Sequence, residues 1–266
     1  MKGGMIKILM LVVLLLTSAF LYQEYTYRVV KHNCFRMGER MEYRVHYGIF
    51  NAGVAVLTIY PKIYMVHDRP CYRVEISGRS VGLFDLITHI EDVWGSYLDT
   101  AAVVSQKFYQ RIHEGKYKKK EIVEFDHPDQ TAIAYRLDKE TGAIKSKVEF
   151  PMPENTQDMV SGYYWMRTFD FDTIYPGDQF VITGFYDDTV YHVKMEFLGR
   201  EQLKTKAGVF NTLVVSPEMP ENQFFSGKNP VRLWMSDDRY KMPLKVKANL
   251  LVGAVEIDIA MFNMPP

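Results

Sequence analysis

Residues 231–262, VRLWMSDDRYKMPLKVKANLLVGAVEIDIAMF, constrain the fold more tightly than any other stretch of this chain. Leu244, Val246, Ala248, Leu250 and Val252 alternate with other residues up to Gly253-Ala254, and Val255, Ile257, Ile259 and Met261 alternate after it. A period of two puts each set on one face of a strand, so the stretch predicts a hairpin with a dry face and a wet face. Glycine at the first central position suits a type II′ turn at Gly253-Ala254. That turn would pair Val252 with Val255, Leu250 with Ile257 and Ala248 with Ile259. The wet face carries Lys245, Lys247, Asn249, Glu256 and Asp258, with Lys247 and Asp258 in diagonal reach.

The rest of the chain repeats this pattern. Turn signals recur at roughly eight- to twelve-residue intervals, the spacing of all-β proteins. Tyr43, Val45 and Tyr47 mark a first strand. Asn51-Ala52-Gly53 is expected to break it, and VAVLTIY runs back until Pro61 ends it. VAVLTIY is apolar on both faces, which places it at the centre of a curled sheet or under cover on both sides. Residues 83–87 suggest a single helical turn. One principal helix is expected over about residues 156–168, capped by Asn155, with Met159, Tyr163 and Met166 at helical spacing. The fold class is therefore mainly β, a large antiparallel curved sheet or barrel-like fold with one principal helix.

At 266 residues, with 18 Tyr and 16 Phe, the chain can fill one large β core. Lys+Arg and Asp+Glu balance at 32 each, so no net charge directs it to nucleic acid. Lys116, Lys118, Lys119 and Lys120 read as a solvated hairpin tip. Lys2 and Lys7, the apolar run 8–16 and the small residues Thr17-Ser18-Ala19 have the pattern of a secretory signal. The expected organisation is a signal peptide at 1–19, a polar lead-in at 20–37 and a single all-β domain at 38–262. Membrane contact is expected only if the N-terminus stays uncleaved. The two cysteines, Cys34 and Cys71, could pair in an oxidising compartment for about 3 kcal/mol; spacing leaves pairing and free thiols both open.

Motifs of catalysis are missing. There is no Gly-x-Ser-x-Gly elbow, phosphate loop, His-Glu-x-x-His or Cys-x-x-Cys. His89-x-Glu91-Asp92 comes nearest to a metal site, but one strand presents at most two of these on a face. No catalytic residue, metal ligand or cofactor is nominated. Asp170-Phe-Asp172, Asp187-Asp188 and Asp237-Asp238 read as turn formers. Ser236, Asp237, Asp238 and Arg239 are expected to make a structural corner in which Arg239 holds an aspartate. Tyr163, Tyr164, Trp165, Met166 and Phe169, with Trp234, are the candidates for lining the mouth of an apolar ligand site; the alternative is that they fill the core.

Several spaced pieces are similar to one family. Gly38-Glu39 with Tyr43, Ala52-Gly53, Glu114-Gly115, Phe125-Asp126, Pro176-Gly177-Asp178, Gly199-Arg200-Glu201, Ala207-Gly208 with Phe210, and Trp234 to Asp238 with Pro243 resemble, in that order, the exported bacterial β-proteins of domain of unknown function 3108. The resemblance implies an envelope location in a Gram-negative-type bacterium and a curved or barrel-like antiparallel sheet. It brings no activity and no catalytic residues. The leading expectation is a non-enzymatic envelope protein that binds a lipid or other apolar ligand. Alternatives are an adaptor for an envelope protein or glycan, and a hydrolase whose carboxylates converge only in three dimensions.

Overall fold

A computed structural model describes residues 25–219 and 226–264, so the signal-like stretch 1–19 lies outside the described residues. Its strands are β1 (Arg40–Tyr47), β2 (Phe50–Val66), β3 (Arg69–Ser80), β4 (Glu91–Asp99), β5 (Ser105–Glu114), β6 (Tyr117–Asp126), β7 (Thr131–Leu137), β8 (Ile144–Pro151), β9 (Gln179–Tyr186), β10 (Thr189–Thr205), β11 (Gly208–Pro217), β12 (Val231–Ser236), β13 (Pro243–Asn249) and β14 (Ala254–Asn263). Helix α1 (Gly82–Ile87) lies between β3 and β4, and α2 (Met159–Arg167) between β8 and β9. All strands belong to one antiparallel 14-stranded sheet in the order 8-7-6-5-4-3-2-1-14-13-12-11-10-9. Each strand therefore pairs with its neighbour in sequence, except that β1 meets β14 at the centre.

The outer edges, β8 and β9, follow each other in sequence, and the sheet curls without closing. Its edges approach one another through Arg136–Asp188 and Lys119–Asp187 ion pairs, and through Phe185 against Phe125 and Phe150. Gln157 extends the β9 edge by one parallel bridge to Gly184, covering backbone that an edge strand leaves open. Helix α2 fills the gap. Val160 and Tyr164 pack into the core under β1–β7, whereas Met166 packs with Phe197, Leu213 and Met235 of the other half.

The helix starts later than its periodicity suggested, and Asn155 does not cap it. Asn155 sits in the left-handed region at φ 58°. Asp158 is the cap: its Oδ1 accepts the Val160 and Ser161 N–H groups at 2.7 Å, and the Ser161 hydroxyl accepts the Asp158 N–H at 2.8 Å. Segment 25–37, expected as a polar lead-in, is also tied into the fold. Phe35 and Cys34 are buried beneath α2, and Arg28 donates to the Ala102 and Val103 carbonyls. Long polar side chains there satisfy backbone oxygens while two apolar residues enter the core.

Three turns depart from expectation. Gly253-Ala254 is not the centre of a two-residue turn: Asn249 pairs with Ala254, Ala248 with Val255 and Val246 with Ile257. Residues 250–253 form the loop, closed by the Leu250 N–H to the Gly253 carbonyl, and Val252 is 76% exposed. Gly253 supplies the positive φ of 75° that this loop needs. Lys247 then reaches Glu256, and Lys245 takes Asp258. On β14, Tyr43 faces Ile259 but Glu42 faces Met261. The extra residue, Ala260, is a bulge that reverses the facing beyond it, so Ile259 is buried and Met261 is 62% exposed. Asn51-Ala52-Gly53 and Pro61 likewise sit inside β2 at register shifts rather than ending strands. Proline has no N–H for a ladder, which a bulge does not require.

Cys34 and Cys71 are both free and buried. Burial pushes the Cys34 thiol up and the Cys71 thiol to about 12.

Candidate functional site

The curled sheet is filled unevenly. Where residues 34–35 and the Val160–Tyr164 face of α2 enter, side chains fill the interior. Towards the end that carries the β1–β2, β13–β14 and β3–α1–β4 connections, it opens into a cup of about 540 Å³. The wall comes from alternate, inward-facing positions: Val45 on β1, Ala55 on β2, Ile76 on β3, Trp94 on β4, and Val255 and Ile257 on β14. Phe84 and Ile87 of α1 reach over it. Such positions fall on one face because side chains alternate.

Glycines make the room. Gly53 and Gly78 lie on the wall; a Cβ at Gly53 would meet the Arg79 carbonyl at 2.8 Å, whereas one at Gly78 would find nothing nearer than 3.9 Å. Polar groups interrupt the apolar wall, Asp92, Ser80 and the Trp94 indole among them. Asp92 is buried and its Oδ1 accepts the His113 N–H at 2.9 Å. Ser80 donates to Asp85 Oδ1 at 2.5 Å and accepts the Ile90 N–H, anchoring α1 to the sheet. The Trp94 indole N–H is buried with no hydrogen-bond partner among the described residues.

Large apolar side chains stand exposed around the cup: Leu83 and Leu86 on α1, Ile49 in the β1–β2 turn and Phe50 at the start of β2, Leu251 and Val252 in the β13–β14 loop. Tyr47 ties these connections together, donating to the Val252 carbonyl at 2.8 Å and packing edge-on against Phe84. Helix α1 buries none of its residues.

A second cavity, about 350 Å³, lies beside α2, where Met159, Tyr163 and Met166 face Ile182, Tyr191 and Val193. Of the six aromatic and methionine candidates, the structure brings only Tyr163 and Met166 together there. Tyr163 also donates to the Lys241 carbonyl at 2.8 Å. Tyr164 is wholly buried and donates to Glu39 at 3.1 Å; burial, then the Glu39 carboxylate, hold its phenol well above the usual range. Trp165 lies under the Arg28 guanidinium, 3.7 Å from the ring centroid, and edge-on to Phe169. Phe169 continues onto Phe180, and Trp234 donates to Glu201 at 2.5 Å.

At residues 236–239 Asp238 accepts the Ser236 hydroxyl and the Tyr240 and Lys241 N–H groups; the Ser236 N–H donates to the Met242 carbonyl, and the Met242 N–H donates to Ser236 Oγ. Arg239 does not hold an aspartate. It lies over Tyr240, and Arg200 from β10 holds Asp237 at 3.0 Å. A partner from another strand fixes that loop more firmly than a neighbour in the same turn.

The buried carboxylates are engaged. Glu39 binds Arg167, Asp99 binds Arg69, Glu121 accepts from Gln110, and Asp158 caps α2 and accepts from Ser105. Only Asp92 among these five borders the cup. Sequence reasoning missed the cup walls. The available signals were the irregular, apolar Leu83-Phe84-Asp85-Leu86-Ile87 and, one strand earlier, the run VAVLTIY, apolar on both faces.

Fold and cup together define an open, barrel-like antiparallel β-protein with an internal helix and an apolar hollow. The chain belongs to the family described as Protein of unknown function (DUF3108), whose pattern it matches over residues 42–260. The fold is shared with a β-barrel-like protein of domain of unknown function DUF1849 from Brucella abortus, at 9% identity and a TM-score of 0.55, over 91% of this chain and all of that one. More distant likenesses are a protein described as exported, of YmcC-like fold, from Bacteroides fragilis (8% identity, TM-score 0.34, 90% of this chain and all of that one) and one described as a lipoprotein from Parabacteroides distasonis (10%, 0.29, 90% and all). No curated protein matches the chain.

Proposed function

We propose that this is a non-enzymatic protein of the bacterial envelope that holds a lipid or other apolar ligand in the cup beneath α1. The observation that carries this reading is an apolar hollow of about 540 Å³ left open inside the curled sheet, away from the side chains that fill its core around Phe35 and Tyr164. Ligand pockets commonly span roughly 300–1,000 Å³ and are mostly apolar with a few placed polar groups. Burying hydrocarbon there is favourable by about 0.8 kcal/mol per methylene before ordering costs. A ligand oxygen near Trp94 would also satisfy an indole N–H that otherwise lacks an acceptor. Leu83, Leu86, Leu251 and Val252 form the route in, keeping an acyl chain out of water as it passes the rim. The signal-like residues 1–19 support export. Of the expected candidates, Tyr163 and Met166 belong to the smaller hollow by α2, a second place for the same class of ligand.

The test is mass spectrometry of organic extracts of gently purified protein, with displacement of a fluorescent fatty acid as the binding assay. Co-purifying lipid and saturable, competable fluorescence are expected. Clean extracts together with no saturable fluorescence would overturn the proposal.

A further inference from the structure

We propose that His89, Glu91 and His113 bind a divalent transition metal of the zinc class on the outer face of the sheet at the foot of α1. One imidazole nitrogen from each histidine and one Glu91 carboxylate oxygen lie within 4.8 Å of one another. The sheet dictates this meeting. His89 and Glu91 are two residues apart and share a face, and the Ile90–Glu114 bridge with the Val93–Arg111 pair puts His113 across from Glu91. The His89 and His113 rings stand 5.2 Å apart between centroids.

One further contact orients the site. Asp85 Oδ1 lies 2.9 Å from His89 Nδ1, which fixes the ring and leaves Nε2 towards Glu91, 3.9 Å from its Oε2. A carboxylate behind a histidine in this manner is the usual outer partner of a metal-bound imidazole. Two imidazoles, a carboxylate and water make a tetrahedral set suited to zinc, whereas calcium and magnesium take oxygen ligands. Arg79 lies opposite Glu91 on β3 and its charge opposes the cation, so two neutral imidazoles carry most of the affinity. Because Asp85 belongs to α1, a metal here would tie the helix over the cup to β4 and β5. The site stands independently of what the cup holds.

The experiment uses the full chain without a polyhistidine tag, stripped with chelator and titrated with Zn²⁺ by calorimetry and with Co²⁺ by visible absorption. One ion per chain is expected, with lowered hydrogen exchange across residues 82–91. His89→Ala and His113→Ala should each weaken binding by tenfold or more. Asp85→Asn should weaken it by about ten- to a hundredfold, and His192→Ala should leave it unchanged. Circular dichroism checks the fold of each variant, and X-ray absorption of the wild-type metal complex counts the imidazoles without any variant. Absence of saturable binding, unchanged affinity in folded His113→Ala, or a shell of oxygen alone would overturn the proposal.

Discussion

Arg167 and Glu39, 128 residues apart in sequence, meet as a fully buried pair: Nη1 lies 2.5 Å from Oε1 and Nη2 2.8 Å from Oε2. Two further guanidinium donors go to the Cys34 and Tyr240 carbonyls, so α2, the N-terminal segment, the residue before β1 and the β12–β13 loop converge on one cation. Removing one partner strands a buried charge at a cost of about 3–5 kcal/mol. Glu39→Gln and Arg167→Met should each lose that much in urea unfolding. Glu39→Leu with Arg167→Met should lose less than either single change.

Stability should fall on mild acidification because of His127. It is fully buried with Nε2 2.7 Å from the Ser105 carbonyl, and burial, offset in part by that hydrogen bond, holds its pKa below the ordinary value. The fold thus favours neutral imidazole. Its contribution is complete above about pH 6.5, the unfolded value, and is lost as pH falls through the folded value. His32, lowered by burial and by Arg167, acts in the same direction. Thermal unfolding between pH 7 and 5 should show the decline, and His127→Gln should flatten it.

Gly95 has no room for a side chain: a Cβ would stand 2.0 Å from Tyr109 Cζ. The ring cannot move cheaply, since its hydroxyl donates to Glu75 at 2.5 Å and accepts from Arg73 at 2.9 Å. Gly95→Ala should cost about 1–3 kcal/mol as overpacking, measured by denaturant midpoint.

Buried thiols react slowly, because the thiolate is the nucleophile and burial disfavours it. Iodoacetamide should leave Cys34 and Cys71 unmodified in the folded protein and label both in urea without reductant. Protection in urea would reveal a disulfide.

Gly78 offers the cleanest probe of the cup, since its Cβ direction is open and β-strands favour branched residues. Gly78→Val should lower fluorescent fatty-acid affinity while leaving the melting temperature equal or higher.

The sequence made the strands legible because alternation is a local property. Leu244 and Ile259 point inward as their pattern required. Bulges are another matter. Ala260 adds one residue and turns Met261 outward, and nothing in the two-residue period announces it. Tyr163 to Phe169 read as one aromatic set, but α2 touches both halves of the curled sheet, so its rings divide among separate neighbours. The cup, the Glu39–Arg167 pair and the His89–Glu91–His113 cluster each join residues from separate elements of the chain. Their geometry arises only when the sheet is assembled.

The pairing of β1 with β14 at the middle of the sheet has a bearing on how the chain must fold. Strands β1–β8 and β9–β14 are each ordinary meanders made of local hairpins, yet the ladder that joins them links the first strand synthesised to the last. Until β14 is in place, β1 and β13 are bare edges. A chain that folds from its N-terminus therefore holds two half-sheets that lack their shared ladder. It becomes one molecule only after its final ten residues of strand have arrived.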